Sequence, residues 1–421
     1  RLLIKRVAPF ALAIGIWFTP VPEGLTAPAW HLFAVFVASI AAVLLGACGK
    51  EEPKAPEAGA PTAAPAAAEE QTVKLGFAAP LTGPQAHYGK EMQNGVVMAI
   101  DELNAEKLVI GGKPTRFELM SEDDQADPKT GTQVAQKLVD EGIQGMIGHF
   151  NSGTSIPASK VYSDAGIPQI AMATSPVYTA QGYKTTFRAM TSDTQQGSVA
   201  GKFAVDKLAA RKVAIIDDRT AYGQGLADEF EKAVVAAGGE VVKREFTNDK
   251  ATDFTAILTN IKAVKPDLIY YGGADAQAGP MAKQLKQLGI ESKFMGGEMI
   301  KSPTFVKLAG DAAEGAIASL AGVPLDQMPG GAGYAERYKT KFGSEVEIYS
   351  PYAYDATRVL VEAMKKADSV VPSTYLPALA GIEFSGITSG HIAYDARGDL
   401  KSGGITLYQV LGGDWKVMET V

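Results

Sequence analysis

Lys212-Val213-Ala214-Ile215-Ile216 is a short apolar, β-branched run, and a helical pattern over about residues 224–237 follows it. The alternation then repeats through Glu240-Val241-Val242-Lys243, a helix near 254–264, Leu268-Ile269-Tyr270-Tyr271 and a helix near 277–288. Strands separated by helices of roughly 10–15 residues are joined by crossovers rather than hairpins, which predicts a parallel sheet with helices on both faces. An equivalent series lies upstream. Strand Val73-Lys74-Leu75-Gly76-Phe77-Ala78 precedes a helix over about 88–104, and strand Arg116-Phe117-Glu118-Leu119-Met120 precedes one over about 128–141. Ala135, Leu138 and Val139 form the expected buried stripe of that second helix. Strand Gly145-Met146-Ile147-Gly148, a helix near 154–164 and strand Gln169-Ile170-Ala171-Met172 complete the series. Two series of similar spacing predict an α/β protein of two similar doubly wound parallel-sheet lobes.

The break between lobes is expected around Thr191-Ser192-Asp193, where a strand carrying Phe187-Arg188-Ala189-Met190 ends and Ser192 or Asp193 caps a helix. The chain is expected to return to the first lobe after Gly322-Val323-Pro324, with helices near 333–342 and 352–366 completing it. A terminal hairpin, Ile405-Thr406-Leu407-Tyr408-Gln409-Val410 and Trp415-Lys416-Val417, turns at Gly412-Gly413. Lobe 1 is thus residues 71–191 plus 324–400, and lobe 2 is 192–323 plus 401–421. Several crossings make a hinge, with a ligand cleft at the carboxyl ends of the strands.

Composition narrows the function. About 350 residues follow the amino-terminal segments, enough for two domains. A hydrophobic fraction of 46% and a charged fraction of 21% are those of a globular protein. The net charge of -7 and the lack of a basic block argue against nucleic acid.

The amino-terminal region has a different character. Leu45-Gly46-Ala47-Cys48 closes an apolar run with small residues before the single cysteine, the pattern of a lipoprotein signal whose thiol accepts a lipid. Residues 48–70, rich in Ala, Pro and Glu, read as a tether. A buried Cys at the end of an apolar helix is the alternative. Arg1, Lys5 and Arg6 stand far upstream of the second apolar run, unlike an ordinary signal peptide. Residues 1–47 are therefore expected to be an apolar helical leader or a fused membrane segment. Ile16-Trp17-Phe18, Pro22-Glu23-Gly24-Leu25-Thr26 and Ala29-Trp30-His31-Leu32-Phe33 resemble the amino terminus of divalent anion:sodium symporters, the dicarboxylate carriers. That resemblance includes none of the carriers' substrate-binding helices, so transport by this polypeptide is not expected.

From Gln71 onward the chain resembles the periplasmic branched-chain amino acid-binding proteins, the type I periplasmic binding fold receptors of ABC importers. The resemblance is carried by Pro80-Leu81-Thr82-Gly83-Pro84 with Tyr88-Gly89, Asp123-Asp124-Gln125-Ala126-Asp127-Pro128-Lys129 and Ile147-Gly148-His149-Phe150-Asn151-Ser152-Gly153. Tyr222-Gly223-Gln224-Gly225, Tyr270-Tyr271-Gly272-Gly273, Ala309-Gly310-Asp311-Ala312-Ala313-Glu314-Gly315 and Asp395-Ala396-Arg397-Gly398-Asp399-Leu400 add to it. It implies a monomeric receptor without cofactor or catalysis, outside the cytoplasm. Such a receptor hands an amino acid to a permease and its ATPase subunits. A lipid on Cys48 would anchor it, with Gly49 favouring the outer membrane over the inner. A ligand-sensing regulator on the same fold is the alternative.

Physical reasoning and the resemblance meet at the site. Asn151-Ser152-Gly153 follows an apolar strand and opens a helix, so the Ser152 hydroxyl and free N–H groups converge on one crevice and favour an anion. Ala173-Thr174 follows the next strand, and the resemblance implies that Ser152 and Thr174 hold an α-carboxylate. An ordinary helix cap is the other reading of both. Glu298 matches the family's amine-binding acid, with an exposed loop carboxylate as the alternative. Tyr88 and Tyr222 are expected to wall the ligand with wet hydroxyls, or else to pack on their own helices. Where well-known members carry an aromatic ring, Ala274 and Asp275 stand here. The pocket is therefore expected to be roomier, with Asp275 as an added acceptor.

Catalytic motifs are lacking. His31, His87, His149 and His391 show no metal-ligand spacing, and Cys48 lies outside the domain. His149 reads as a packing residue rather than a general base. The acidic run Glu122-Asp123-Asp124 with Asp127 reads as a solvated turn leading into a helix, with cation attraction as the alternative.

Overall fold

The computed structural model describes residues 69–421, so the leader, Cys48 and most of the tether lie outside the described residues. The first sheet contains β1 (Gln71–Ala79), β2 (Val109–Ile110), β3 (Lys113–Asp123), β4 (Gly145–Gly148), β5 (Gln169–Ala171) and β6 (Thr186–Arg188). Their order is β2-β3-β1-β4-β5-β6, parallel throughout except where β2 meets β3. The second sheet contains β7 (Lys212–Asp217), β8 (Glu240–Phe246), β9 (Leu268–Gly272), β10 (Lys293–Gly296), β11 (Ile317–Leu320), β12 (Thr406–Leu411) and β13 (Asp414–Thr420). Here the order is β13-β12-β11-β10-β9-β7-β8; β12 is antiparallel to both β11 and β13, and the remaining pairings are parallel. Central strands covered by helices on both faces bury every side chain, as Leu75 through Ala79 do in β1.

Local chemistry sets the helix boundaries. Asp127 caps the helix Pro128–Asp140 by accepting from the Thr130 N–H at 2.7 Å, and Pro128 occupies its first turn. Its buried row is Gly131, Val134, Ala135 and Leu138, while Val139, expected on the stripe, is only half-buried. Leu138 is fully buried, so Leu138→Ala costs about 2–5 kcal/mol by the usual cavity effect. The acidic turn before this helix is not simply solvated. Asp124 is fully buried and its Oδ2 meets His149 Nδ1 at 2.7 Å, while His149 Nε2 lies 3.1 Å from the Tyr162 hydroxyl. His149 is thus a packed, hydrogen-bonded core residue.

After β6 the chain enters the helix Asp193–Asp206, which packs on the helix Ala221–Ala236 beside the second sheet. Glycine makes that contact possible: a Cβ on Gly201 would stand 2.6 Å from Ala233 Cβ. After β11 the chain returns, and the helix Ser350–Lys366 packs against the helix Ala86–Ala105 of the first lobe. Buried Glu91 anchors this return by accepting main-chain N–H bonds from Glu347, Ile348, Tyr349 and Ser350 at 2.9–3.3 Å. A carboxylate among the free N–H groups at a helix start is well compensated there. The last crossing, residues 401–405, leads into β12, and the hairpin turns on Gly412 and Gly413, both with positive φ. No described helix is long and apolar enough to cross a membrane.

Candidate functional site

The carboxyl ends of β4 and β5 carry two loops that face the second lobe. Asn151 is the N-cap of the helix Ser152–Asp164, and the first N–H groups with an acceptor in that turn are those of Thr154 and Ser155. The Ser152 and Gly153 N–H groups are therefore left for another partner at the positive end of a helix. Ser152 is buried, and its hydroxyl accepts from the Ser175 N–H at 3.2 Å, tying the two loops together. Below them lies Arg188, wholly buried, which donates to the Ala173 and Ser175 carbonyls, to Thr179 Oγ1 and to the Asp399 carboxylate. The Ala173 carbonyl is consequently occupied by this guanidinium, and Ala173 contributes to the site as part of the loop's frame.

Thr174 connects these donors to an acid. Its carbonyl accepts from the Asp193 N–H at 2.8 Å, and Asp193 begins the helix Asp193–Asp206. Ser192 is the N-cap, in a capping box with Gln195, so the Asp193 carboxylate is not needed as a cap. Asp193 is fully buried, and neither of its carboxylate oxygens has a hydrogen-bond partner. Burial drives its pKa well above the ordinary carboxylate range and the Glu298 charge adds to this, against smaller opposing effects of Thr174 and Arg188.

Glu298 opens a short 3-10 turn directly after β10 and is also buried. Its Oε2 accepts from Gln196 Nε2 at 2.7 Å, and that amide also reaches Ser319. Burial raises the Glu298 pKa, while the main chain, Gln196 and Tyr222 draw it back. The Tyr222 hydroxyl is near enough to act on this charge yet makes no hydrogen bond of regular geometry. Two buried carboxylates, one from the start of each of two elements, thus face an unpartnered phenol and an amide oxygen, Gln196 Oε1, that also lacks a partner. Such a set is an acceptor-rich chamber for a cationic donor.

The tyrosines differ from expectation. Both are buried, so their hydroxyls are not wet. Tyr88 donates across the cleft to the Met299 carbonyl at 2.5 Å, because the lobes meet over this residue. Its ring contacts Phe150 and Tyr349 with centroids 5.4 and 5.6 Å away, and Phe150 lies 4.8 Å from Tyr349. Asp275 is likewise engaged differently from a free ligand acceptor. Its Oδ2 accepts from Ser302 at 2.6 Å and stands 3.0 Å from His87 Nε2 in the other lobe. The Asp275 Oδ1 remains unpartnered. Asn151 donates to Gln85 Oε1 at 2.7 Å, and its own Oδ1 has no partner.

Asn151, Gly153, Tyr222, Ala274 and Met299 border a cavity of about 430 Å³ between the lobes, walled further out by Asp218, Asn248 and Asp249. Of the expected site residues, Asn151, Tyr222 and Ala274 line this cavity and Ser152, Thr174 and Glu298 do not. Thr174 and Glu298 are brought together through Asp193, and Ser152 is tied to the Thr174 loop through the Ser175 N–H, while Asp275 bridges to His87 of the other lobe. Asp193, Gln196 and Arg188 are the residues missed. The Ser192-x-x-Gln195 spacing of a capping box was the available signal that Asp193 was free for other work. Among the described residues no cluster of His, Cys, Asp and Glu is arranged to hold a metal ion.

A family model described as periplasmic binding protein matches residues 72–414. The Leu/Ile/Val-binding protein homolog 1 of Brucella abortus is 37% identical over 338 residues, covering 80% of this chain and 90% of that protein. The leucine-, isoleucine-, valine-, threonine-, and alanine-binding protein of Pseudomonas aeruginosa is 34% identical over 339 residues, with 80% and 90% covered. Among solved structures, the isoleucine complex of a branched-chain amino acid transporter substrate-binding protein from Streptococcus pneumoniae has a TM-score of 0.74 at 26% identity. That match covers 83% of this chain and 99% of the other. With its paired parallel-sheet lobes and the match running through nearly all of the described residues, the chain belongs to the periplasmic binding protein family.

Proposed function

We propose that this chain is an extracytoplasmic receptor that captures an α-amino acid between its lobes and delivers it to an ABC importer permease. The observation that supports this reading is the pair of buried carboxylates, Asp193 and Glu298, next to the Thr174 loop to which Ser152 is tied. The α-carboxylate takes the Ser152 hydroxyl, the Thr174 hydroxyl and the helix N-terminal N–H groups; the ammonium takes Asp193 and Glu298. Tyr222 covers the ligand from the second lobe. The lobes, 71–191 plus 324–400 and 192–323 plus 401–421, swing about their crossings to open and close. Relatives named for Leu/Ile/Val binding support the ligand class. A lipid on Cys48 would hold the receptor at a membrane surface, and acylation is read by mass spectrometry of the mature amino terminus.

Calorimetry of the full chain against the twenty amino acids tests the reading, and binding of at least one with unit stoichiometry is expected. Ser152→Ala and Glu298→Gln should each weaken binding by about 1–3 kcal/mol through unpaired buried groups. Silence across the panel, or full affinity in both variants, refutes it.

A further inference from the structure

We infer that the interlobe chamber beside the acid pair receives the ligand's side chain and selects one ending in an N–H donor, an amide or guanidinium, over a compact aliphatic one. This rests on the amino-acid reading above and extends it to substrate class.

The cleft offers a side chain two directions. One is closed by the mutually packed rings of Tyr88, Phe150 and Tyr349, all buried. The other opens where Asn151 and Gly153 flank Ser152, and where Met299 follows Glu298; there the small Ala274 leaves the cavity of about 430 Å³. An isobutyl group fills only a fraction of that space and satisfies none of its polar wall.

The wall is rich in acceptors. Asp218 and Asp249 contribute carboxylates, and the Asn151 Oδ1 is buried without a partner. Several donors nearby are engaged: Thr220 donates its N–H and its hydroxyl to Asp218 Oδ1 at 3.0 and 2.6 Å, leaving Asp218 Oδ2. The Asn151 amide nitrogen binds Gln85, and the Arg219 guanidinium lies 3.6 Å from Asp217 and 4.1 Å over the Phe246 ring. Asp218 is almost wholly buried, and burial, opposed by its Thr220 hydrogen bonds and aided to a smaller extent by Asp249 and Asp217, pushes its pKa up to about 6. A donor-bearing side chain relieves both the like-charge crowding and the orphaned amide oxygen, whereas an aliphatic one leaves both uncompensated.

The test is calorimetry on the full chain with arginine, glutamine, leucine and alanine. Arginine or glutamine should bind at least tenfold more tightly than leucine. Preference for arginine assigns the selectivity to the carboxylates, preference for glutamine to the amide acceptor. Leucine binding as tightly or more tightly overturns this inference and leaves the receptor reading intact; silence with every amino acid overturns both. Asp249→Ala removes an exposed side chain, so folding is retained. It should weaken arginine and glutamine several-fold and alanine not at all. Equal effects on all ligands, or none on any, overturn the inference. Ala274→Leu, checked for an unchanged melting transition, should narrow the chamber and shift the preference toward alanine; an unchanged ranking counts against it.

Discussion

Tyr88→Phe isolates the contribution of closure to affinity. The substitution keeps the ring that packs on Phe150 and Tyr349 and removes only the hydroxyl that donates to the Met299 carbonyl in the opposite lobe. Tyr88 is wholly buried, so in the closed form the carbonyl loses this partner. An ordinary hydrogen bond contributes about 0.5–1.5 kcal/mol net, and a buried orphaned acceptor raises the loss to about 3 kcal/mol. In an open form water reaches the carbonyl and the variant loses nothing. The whole deficit therefore falls on the closed, ligand-holding state. At about 1.4 kcal/mol per tenfold, affinity should fall roughly 2-fold to 100-fold. The loss should reside mainly in the dissociation rate, since the bond forms after encounter. Stopped-flow fluorescence with the tightest amino acid gives both rates, and small-angle scattering reports whether ligand still compacts the protein. An unchanged dissociation rate with normal compaction refutes a role for this bond in closure.

Three further outcomes are expected. The His87 pKa is raised: burial opposes the shift, but the hydrogen bond and charge of Asp275, with Glu347 and Glu91, outweigh it. A pKa raised in the closed state means the His87–Asp275 contribution is full below the open-state value and lost as pH rises through the closed-state one. Ligand affinity should therefore decline above about pH 6.5; Asp275→Asn should flatten that decline, and an unaltered pH profile in the variant counts against the latch. Asp193→Asn should have opposite effects on binding and stability. Its raised pKa makes the ionised carboxylate unfavourable without ligand, so the variant should melt higher than wild type at pH 8 while losing about 2 kcal/mol or more of amino-acid affinity. A lower melting temperature with full affinity contradicts both parts. Glu91→Gln turns an amide toward four main-chain donors and should cost about 1–3 kcal/mol of unfolding free energy, read as a lower midpoint in urea. An unchanged midpoint removes Glu91 as the anchor of the returning chain.

The parallel architecture was legible because apolar strands such as Val213–Ile216 alternate with amphipathic helices, and both patterns are local. Strand β11 was not read as such, since Ile317-Ala318-Ser319-Leu320 is short and half of it has little β-propensity. The positions of Ser152 and Thr174 just past buried parallel strands were accessible, because the strands β4 and β5 before them are apolar runs. Asp193 was hidden by ambiguity: Ser192 and Asp193 are both good caps, and the Ser192-x-x-Gln195 spacing that favours Ser192 becomes decisive only with the capping-box geometry. The burial of the tyrosine hydroxyls and the engagement of one Asp275 oxygen by the other lobe were hidden for another reason. Tyr88–Met299 and His87–Asp275 join residues separated by about two hundred positions, and no local pattern encodes which face one lobe presents to the other.

The balance of charge argues for a zwitterion over simpler ligands. Ser152, Gly153 and the helix behind them offer donors that favour an anion, and Arg188 beneath them is already spent on Asp399 and the loop carbonyls. A bare anion placed there would meet the Asp193 and Glu298 carboxylates without a screening cation, and in a buried site that repulsion is barely attenuated. A bare cation would satisfy the acids and leave the N–H groups of the helix start without an acceptor. A molecule carrying both charged groups on one carbon meets both requirements while adding no net charge to the closed cleft. Blocking either end of the best ligand, as the methyl ester or the N-acetyl derivative, should therefore abolish binding measured by calorimetry. Retention of one blocked form would show that its charged end is not recognised, and would reassign the corresponding residues.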